Sequence, residues 1–73
     1  MREFAQRIKE VRKERGLTQA EFGKLVGIAG GQVSRWESGH NDVTGDTLIK
    51  LSQALGISAD WLLGLEEWSK GVL

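Results

Sequence analysis

The sequence contains no cysteine, no proline and a single histidine. Without cysteine there is neither a disulfide nor a thiolate metal site, and His40 alone cannot build a zinc centre. No apolar run approaches the ~20 residues that span a bilayer, so no membrane partner is expected. The start, Met1-Arg2-Glu3-Phe4, opens a charged amphipathic pattern rather than a signal peptide, which points to a soluble cytoplasmic protein. Also missing are a nucleophile–base pair, a metal cluster and a phosphate loop. A chain of 73 residues has too small a core to enclose a substrate pocket. An enzyme is therefore not expected, and no catalytic residue, cofactor, metal or small-molecule substrate is assigned. Net charge is lacking as well: ten basic residues balance ten acidic ones. A phosphate-binding surface needs local Lys and Arg, so distribution matters more than the sum. Residues 1–24 hold Arg2, Arg7, Lys9, Arg12, Lys13, Arg15 and Lys24 against Glu3, Glu10, Glu14 and Glu21. The remainder is mildly acidic, and the surface is polarised accordingly.

What is present is helical. Hydrophobic residues make up 40% of the chain and charged residues 27%, enough for one compact domain that buries about 60% of its unfolded surface. Gly16, Gly27, Gly39, Gly56 and Gly64 each follow an apolar periodic stretch, where a left-handed residue that ends a helix is expected. Phe4, Ile8 and Val11 mark the first helix, from Glu3 to Arg15. Thr18 and Glu21 form a capping box that opens the second, with Phe22, Leu25 and Val26 as its buried face. Gly23 is small enough to admit another helix closely. A third helix from about Gly30 to Ser38 turns Val33 and Trp36 inward. A fourth begins near Thr44 with Leu48, Leu51 and Leu55. A fifth begins at the cap Ser58, carries Asp60 in its first turn and continues the apolar pattern through Trp61, Leu62 and Leu65. The fold class is all-α, with a domain over 1–64 and a C-terminal apolar tail over 65–73.

Gln19 to Ser38 is the informative stretch. A capped helix is followed by Gly23, by Gly27 for a tight turn, and then by Ile28, Val33 and Trp36. Those residues hold a second helix at a steep angle to the first and leave its outer face free, the layout of a helix-turn-helix. Helix-turn-helix look-alikes also occur in helical proteins that never touch DNA.

Four segments extend the pattern over nearly the whole chain: IKEVRKERGLTQ at Ile8–Gln19, QVSRWESG at Gln32–Gly39, TLIKLSQALGI at Thr47–Ile57 and SADWLLG at Ser58–Gly64. With these the chain resembles the phage-repressor/Cro-like, or XRE, helix-turn-helix family. The resemblance implies a five-helix lambda-repressor-like domain that binds a palindromic operator in double-stranded DNA as a homodimer and regulates, most often represses, transcription. It implies an internal ion pair between Arg12 and Glu37. It implies a phosphate contact for Gln19, backbone contacts from Ser38 and the loop that holds His40, and groove-facing positions at Gly30, Gly31, Gln32 and Arg35.

The departures from the family pattern lie in the third helix and the loop behind it. Gly30 and Gly31 stand where side chains usually read bases, and Ala29 stands where a Ser or Thr cap is usual. A lost cap costs ~1 kcal/mol, so this helix is expected to fray or begin late, with readout left to Gln32, Ser34 and Arg35. The two glycines are either a close-approach device against DNA or positions that have lost their readers. Asp42 would repel a nearby phosphate. In the tail, Trp68, Val72 and Leu73, with Trp61, cover either the core or a partner subunit, and a dimer contact is the expectation. The competing reading, motivated by zero net charge, Gly30-Gly31 and Asp42, is an antitoxin-like protein-interaction module with a weakened DNA face.

Overall fold

The computed structural model describes residues 2–40 and 43–65. Five helices follow in order: α1 (Arg2–Glu14), α2 (Gln19–Val26), α3 (Gly30–Glu37), α4 (Gly45–Leu55) and α5 (Ala59–Leu63). No strand occurs among the described residues. The expected punctuation is the observed one. Gly16, Gly27, Gly39, Gly56 and Gly64 are the positive-φ residues, each just past a helix. Three of the four inter-helix starts carry a side-chain cap. The Thr18 hydroxyl accepts from the Glu21 N–H while the Glu21 carboxylate accepts from the Thr18 N–H. Thr44 accepts from the Thr47 N–H and Ser58 from the Trp61 N–H.

α2 packs on α3, α1 on α3 and α5, and α4 on α2 and α5. The core between them is Phe4, Ile8 and Val11 of α1, Phe22 and Val26 of α2, Val33 and Trp36 of α3, Leu51 and Leu55 of α4, and Leu62 of α5. Phe4 and Trp36 meet edge to face with centroids 5.5 Å apart, a favoured geometry for two ring quadrupoles. The Trp36 indole N–H finds no acceptor among the described residues.

Two apolar expectations are corrected. Leu25 is 48% exposed: Phe22 and Val26 fill the inner stripe of α2, and Leu25 falls beside it. Leu65 is 40% exposed, because Gly64 takes the left-handed conformation at φ 75° and ends α5 at Leu63. α3 also starts without delay. Ala29 offers no side-chain cap, yet its carbonyl accepts from the N–H groups of Gln32 and Val33. Burial of Val33 and Trp36 holds the helix despite the missing cap.

Candidate nucleic-acid interface

The turn between α2 and α3 sets the geometry. Gly27 caps α2 at φ 76° and its N–H reaches the Gly23 carbonyl. A side chain at Gly23 would drive its Cβ into the Ile28 carbonyl oxygen, so only glycine lets the turn fold back here. Gly30 has the same kind of role one helix later. A Cβ on it would lie 3.2 Å from the Ala20 Cα, tighter than ordinary van der Waals contact. Gly30 therefore belongs to the contact between α2 and α3 and does not face outward, which corrects the groove-facing expectation for this position. Gly31 has open space around it.

α3 thus has two opposed stripes. Gly30, Val33, Trp36 and Glu37 face the body of the domain, buried or half-buried. Gly31, Ser34, Arg35 and Ser38, at i, i+3, i+4 and i+7, are exposed and form one outward face. Gln32 sits at its margin, half-buried.

One ion pair anchors the inner stripe. Arg12 Nε donates to Glu37 Oε2 at 2.7 Å and Nη2 donates to Oε1 at 2.9 Å. The third nitrogen, Nη1, donates to the Leu17 carbonyl at 2.8 Å. The Glu37 side chain is 5% exposed and lies in the last turn of α3, where the helix dipole disfavours a carboxylate. The guanidinium offsets both penalties, and Glu37 in turn raises the Arg12 pKa above its ordinary value. Gln19 Nε2 also donates to Glu37, at 3.3 Å. Gln19 is half-buried, and its amide is engaged inside the domain. At the end of α3 the Ser38 hydroxyl lies within hydrogen-bond distance of the Ser34 and Arg35 carbonyls and of His40 Nδ1 at 3.1 Å. That network sets both side chains at the rim of the outward face.

Between α1 and the end of α3 runs an open trough. One part is lined by Lys9, Arg12, Lys13, Gln19, Ser34, Glu37 and Ser38, and the adjoining part by Arg2, Ala5, Gln6, Glu37, Ser38 and Gly39. Of the α1 residues here, Arg2, Gln6, Lys9 and Lys13 escaped sequence reasoning as site residues, although helical spacing from Arg2 was a signal that could have found them. Other basic residues of the N-terminal region bond within the domain. Arg7 donates to the Trp61 carbonyl at 2.9 Å and stacks 4.6 Å from that ring's centroid, and Arg15 donates to the Leu55 carbonyl at 2.8 Å. Trp61, expected at a dimer contact, is half-buried beneath Arg7. Trp68, Val72, Leu73 and Asp42 lie outside the described residues.

Residues 8–62 match the helix-turn-helix family model, and the chain belongs to that family, of the phage-repressor (XRE) type. It is 40% identical over 67 residues to the HTH-type transcriptional regulator ImmR of Bacillus subtilis, covering 92% of this chain and 53% of ImmR. It is 40% identical over 60 residues to Repressor protein C2 of Salmonella phage P22, covering 82% of this chain and 28% of C2. The chain thus spans about half the length of ImmR and a smaller part of C2. The crystal structure of the P22 c2 repressor in complex with a synthetic operator superposes with a TM-score of 0.74 at 37% identity, over 81% of this chain and 89% of that one. The restriction-modification controller protein C.AhdI from Aeromonas hydrophila gives 0.73 at 33% identity, over 82% and 91%. The architecture is lambda-repressor-like, as the family resemblance implied.

Proposed function

We propose that this chain is a sequence-specific DNA-binding domain of a transcriptional regulator, most simply a repressor, acting in the cytoplasm as a homodimer on a palindromic operator. The observation that carries the reading is the division of α3. Its inner stripe is pinned by Val33, Trp36 and the Arg12–Glu37 pair, and no described residue covers its exposed outer stripe in a way that would block a major groove. Arg35 is the reader of guanine, since its fork matches O6 and N7, and Gln32 reads adenine from the margin. Ser34 lies between them. Ser38 and His40 meet the phosphate backbone at the end of the helix. The N–H of Gly31, in the first turn of α3, and those of the first turn of α2 at Gln19 favour a phosphate by their orientation. The complex of P22 c2 with a synthetic operator supports the same use of the fold.

The test is selection of binders from a random duplex library, followed by affinity measurements over salt. The expected result is an enriched palindrome with half-sites about one turn, ~34 Å, apart and affinity that falls steeply with salt. No enriched sequence, with a stoichiometric protein partner recovered in place of DNA, would instead support the interaction-module reading.

A further inference from the structure

The chain is electrically neutral, yet a DNA-binding face must meet a polyanion. The structure shows where the positive charge is gathered. The exposed side of α1 is split lengthwise. Arg2, Gln6, Lys9 and Lys13 recur at i, i+4, i+7 and i+11 and line the trough beside α3. Glu3, Glu10 and Glu14 recur on a separate exposed stripe and line no part of it. Among the described residues the one carboxylate in the trough wall, Glu37, is neutralised by Arg12. Arg2, Lys9 and Lys13 are paired with no described carboxylate.

We infer that this stripe of α1 is a phosphate track: Lys9 and Lys13, with Arg2 and Gln6 continuing the line, hold the DNA backbone that flanks the groove occupied by α3. The inference rests on the proposed DNA binding and extends it to residues outside the helix-turn-helix. Two features fix the occupant as duplex backbone. The trough opens directly onto the outward stripe of α3 through Ser34 and Ser38, so a strand bordering that groove runs into it. Among the described residues its walls also hold flexible ammonium groups and two amides but no aromatic ring, which suits phosphates rather than unstacked bases. The acidic stripe keeps the rest of α1 off the polyanion and sets the side from which DNA approaches.

The experiment compares Lys9→Gln/Lys13→Gln with Lys24→Gln/Lys50→Gln, which removes equal charge from outside the trough. Both are measured on the enriched duplex and on an unrelated duplex between 50 and 200 mM salt. All four lysines are exposed, and melting curves confirm that both variants fold. Each lost phosphate contact lowers the log–log salt slope by about 0.9. The trough variant is expected to bind both duplexes more weakly at low salt. Its loss of affinity over that salt range should be roughly tenfold smaller than the wild type's. Its preferred sequence should be unchanged, and the control should stay near wild type. Wild-type binding with equal slopes in the two variants overturns the phosphate track and leaves the proposed function standing. Absence of wild-type DNA binding at low salt overturns both.

Discussion

Arg12 of α1 grips Glu37 at the end of α3 through two hydrogen bonds of 2.7 and 2.9 Å, twenty-five residues apart in the chain. The pair joins the first helix to the outward-facing one. Glu37 is nearly inaccessible to water, so its carboxylate relies on Arg12 and, secondarily, on Gln19 for hydrogen bonds.

Arg12→Ala therefore strands a carboxylate and is expected to lower unfolding free energy by about 3 kcal/mol or more. A domain of this size has only about 4–11 kcal/mol in total. Arg12→Lys should recover little, because an ammonium cannot reproduce the two-pronged contact. The double replacement Arg12→Met/Glu37→Leu should recover most of the loss. Urea melts of the three variants decide it, and a loss under about 1 kcal/mol for Arg12→Ala would contradict the account.

Glu21 supplies a pH dependence. The Thr18 backbone N–H and hydroxyl hold its carboxylate below the usual range, with a smaller pull from Lys24. A carboxyl whose folded pKa is depressed stabilises the fold above its unfolded value, about 4.3. That contribution fades as pH falls through the folded value. The stability gap between wild type and Glu21→Gln should be full near neutrality and shrink in acid. Melts from pH 7 down to about 3 measure it; a gap that grows in acid would refute the sign.

The glycines of the turn region should respond in opposite directions. Gly23→Ala forces a methyl group onto the Ile28 carbonyl and should cost about 1–3 kcal/mol or more. Gly31→Ala meets nothing within 4 Å and should stabilise α3 by up to about 1 kcal/mol through helix propensity. Denaturant midpoints of the two variants against wild type settle both signs.

On the proposed interface, Arg35→Ala should relax preference at one base pair by about 1–3 kcal/mol and leave the melting temperature nearly unchanged, since Arg35 is exposed. Gln19→Ala should weaken all duplexes about equally. It should also lower stability slightly, because the amide supports Glu37. Library selection on each variant, with melts alongside, separates loss of readout from loss of positioning.

Arg7→Ala should behave as a structural change alone. Its cation–π contact and carbonyl bond tie α1 to α5, so stability should fall by roughly 1–2 kcal/mol. The salt slope of DNA binding should not move, in contrast to the lysines of the trough.

Local rules written along the chain were enough for the helices, their stops and most of the core. The Thr18–Glu21 box, the five left-handed glycines and the inward Val33 and Trp36 all follow from interactions within a few residues, where spacing stands in for distance. The Arg12–Glu37 pair was legible through family resemblance, since its partners are far apart in sequence. Other long-range outcomes were not settled by any local signal. Gly30 and Gly31 look alike in sequence, yet one presses on Ala20 and the other faces open space. Arg7 and Arg15 look like their neighbours Lys9 and Lys13, yet the arginines clasp carbonyls of α5 and α4 while the lysines line the trough. Leu25 looks like a core residue and is half exposed. Helical periodicity states that a residue lies on a certain face; it does not state what the neighbouring helix brings to that face. That is settled by the crossing of helices joined through distant turns, and it decides which charges of a neutral chain are drawn into the fold.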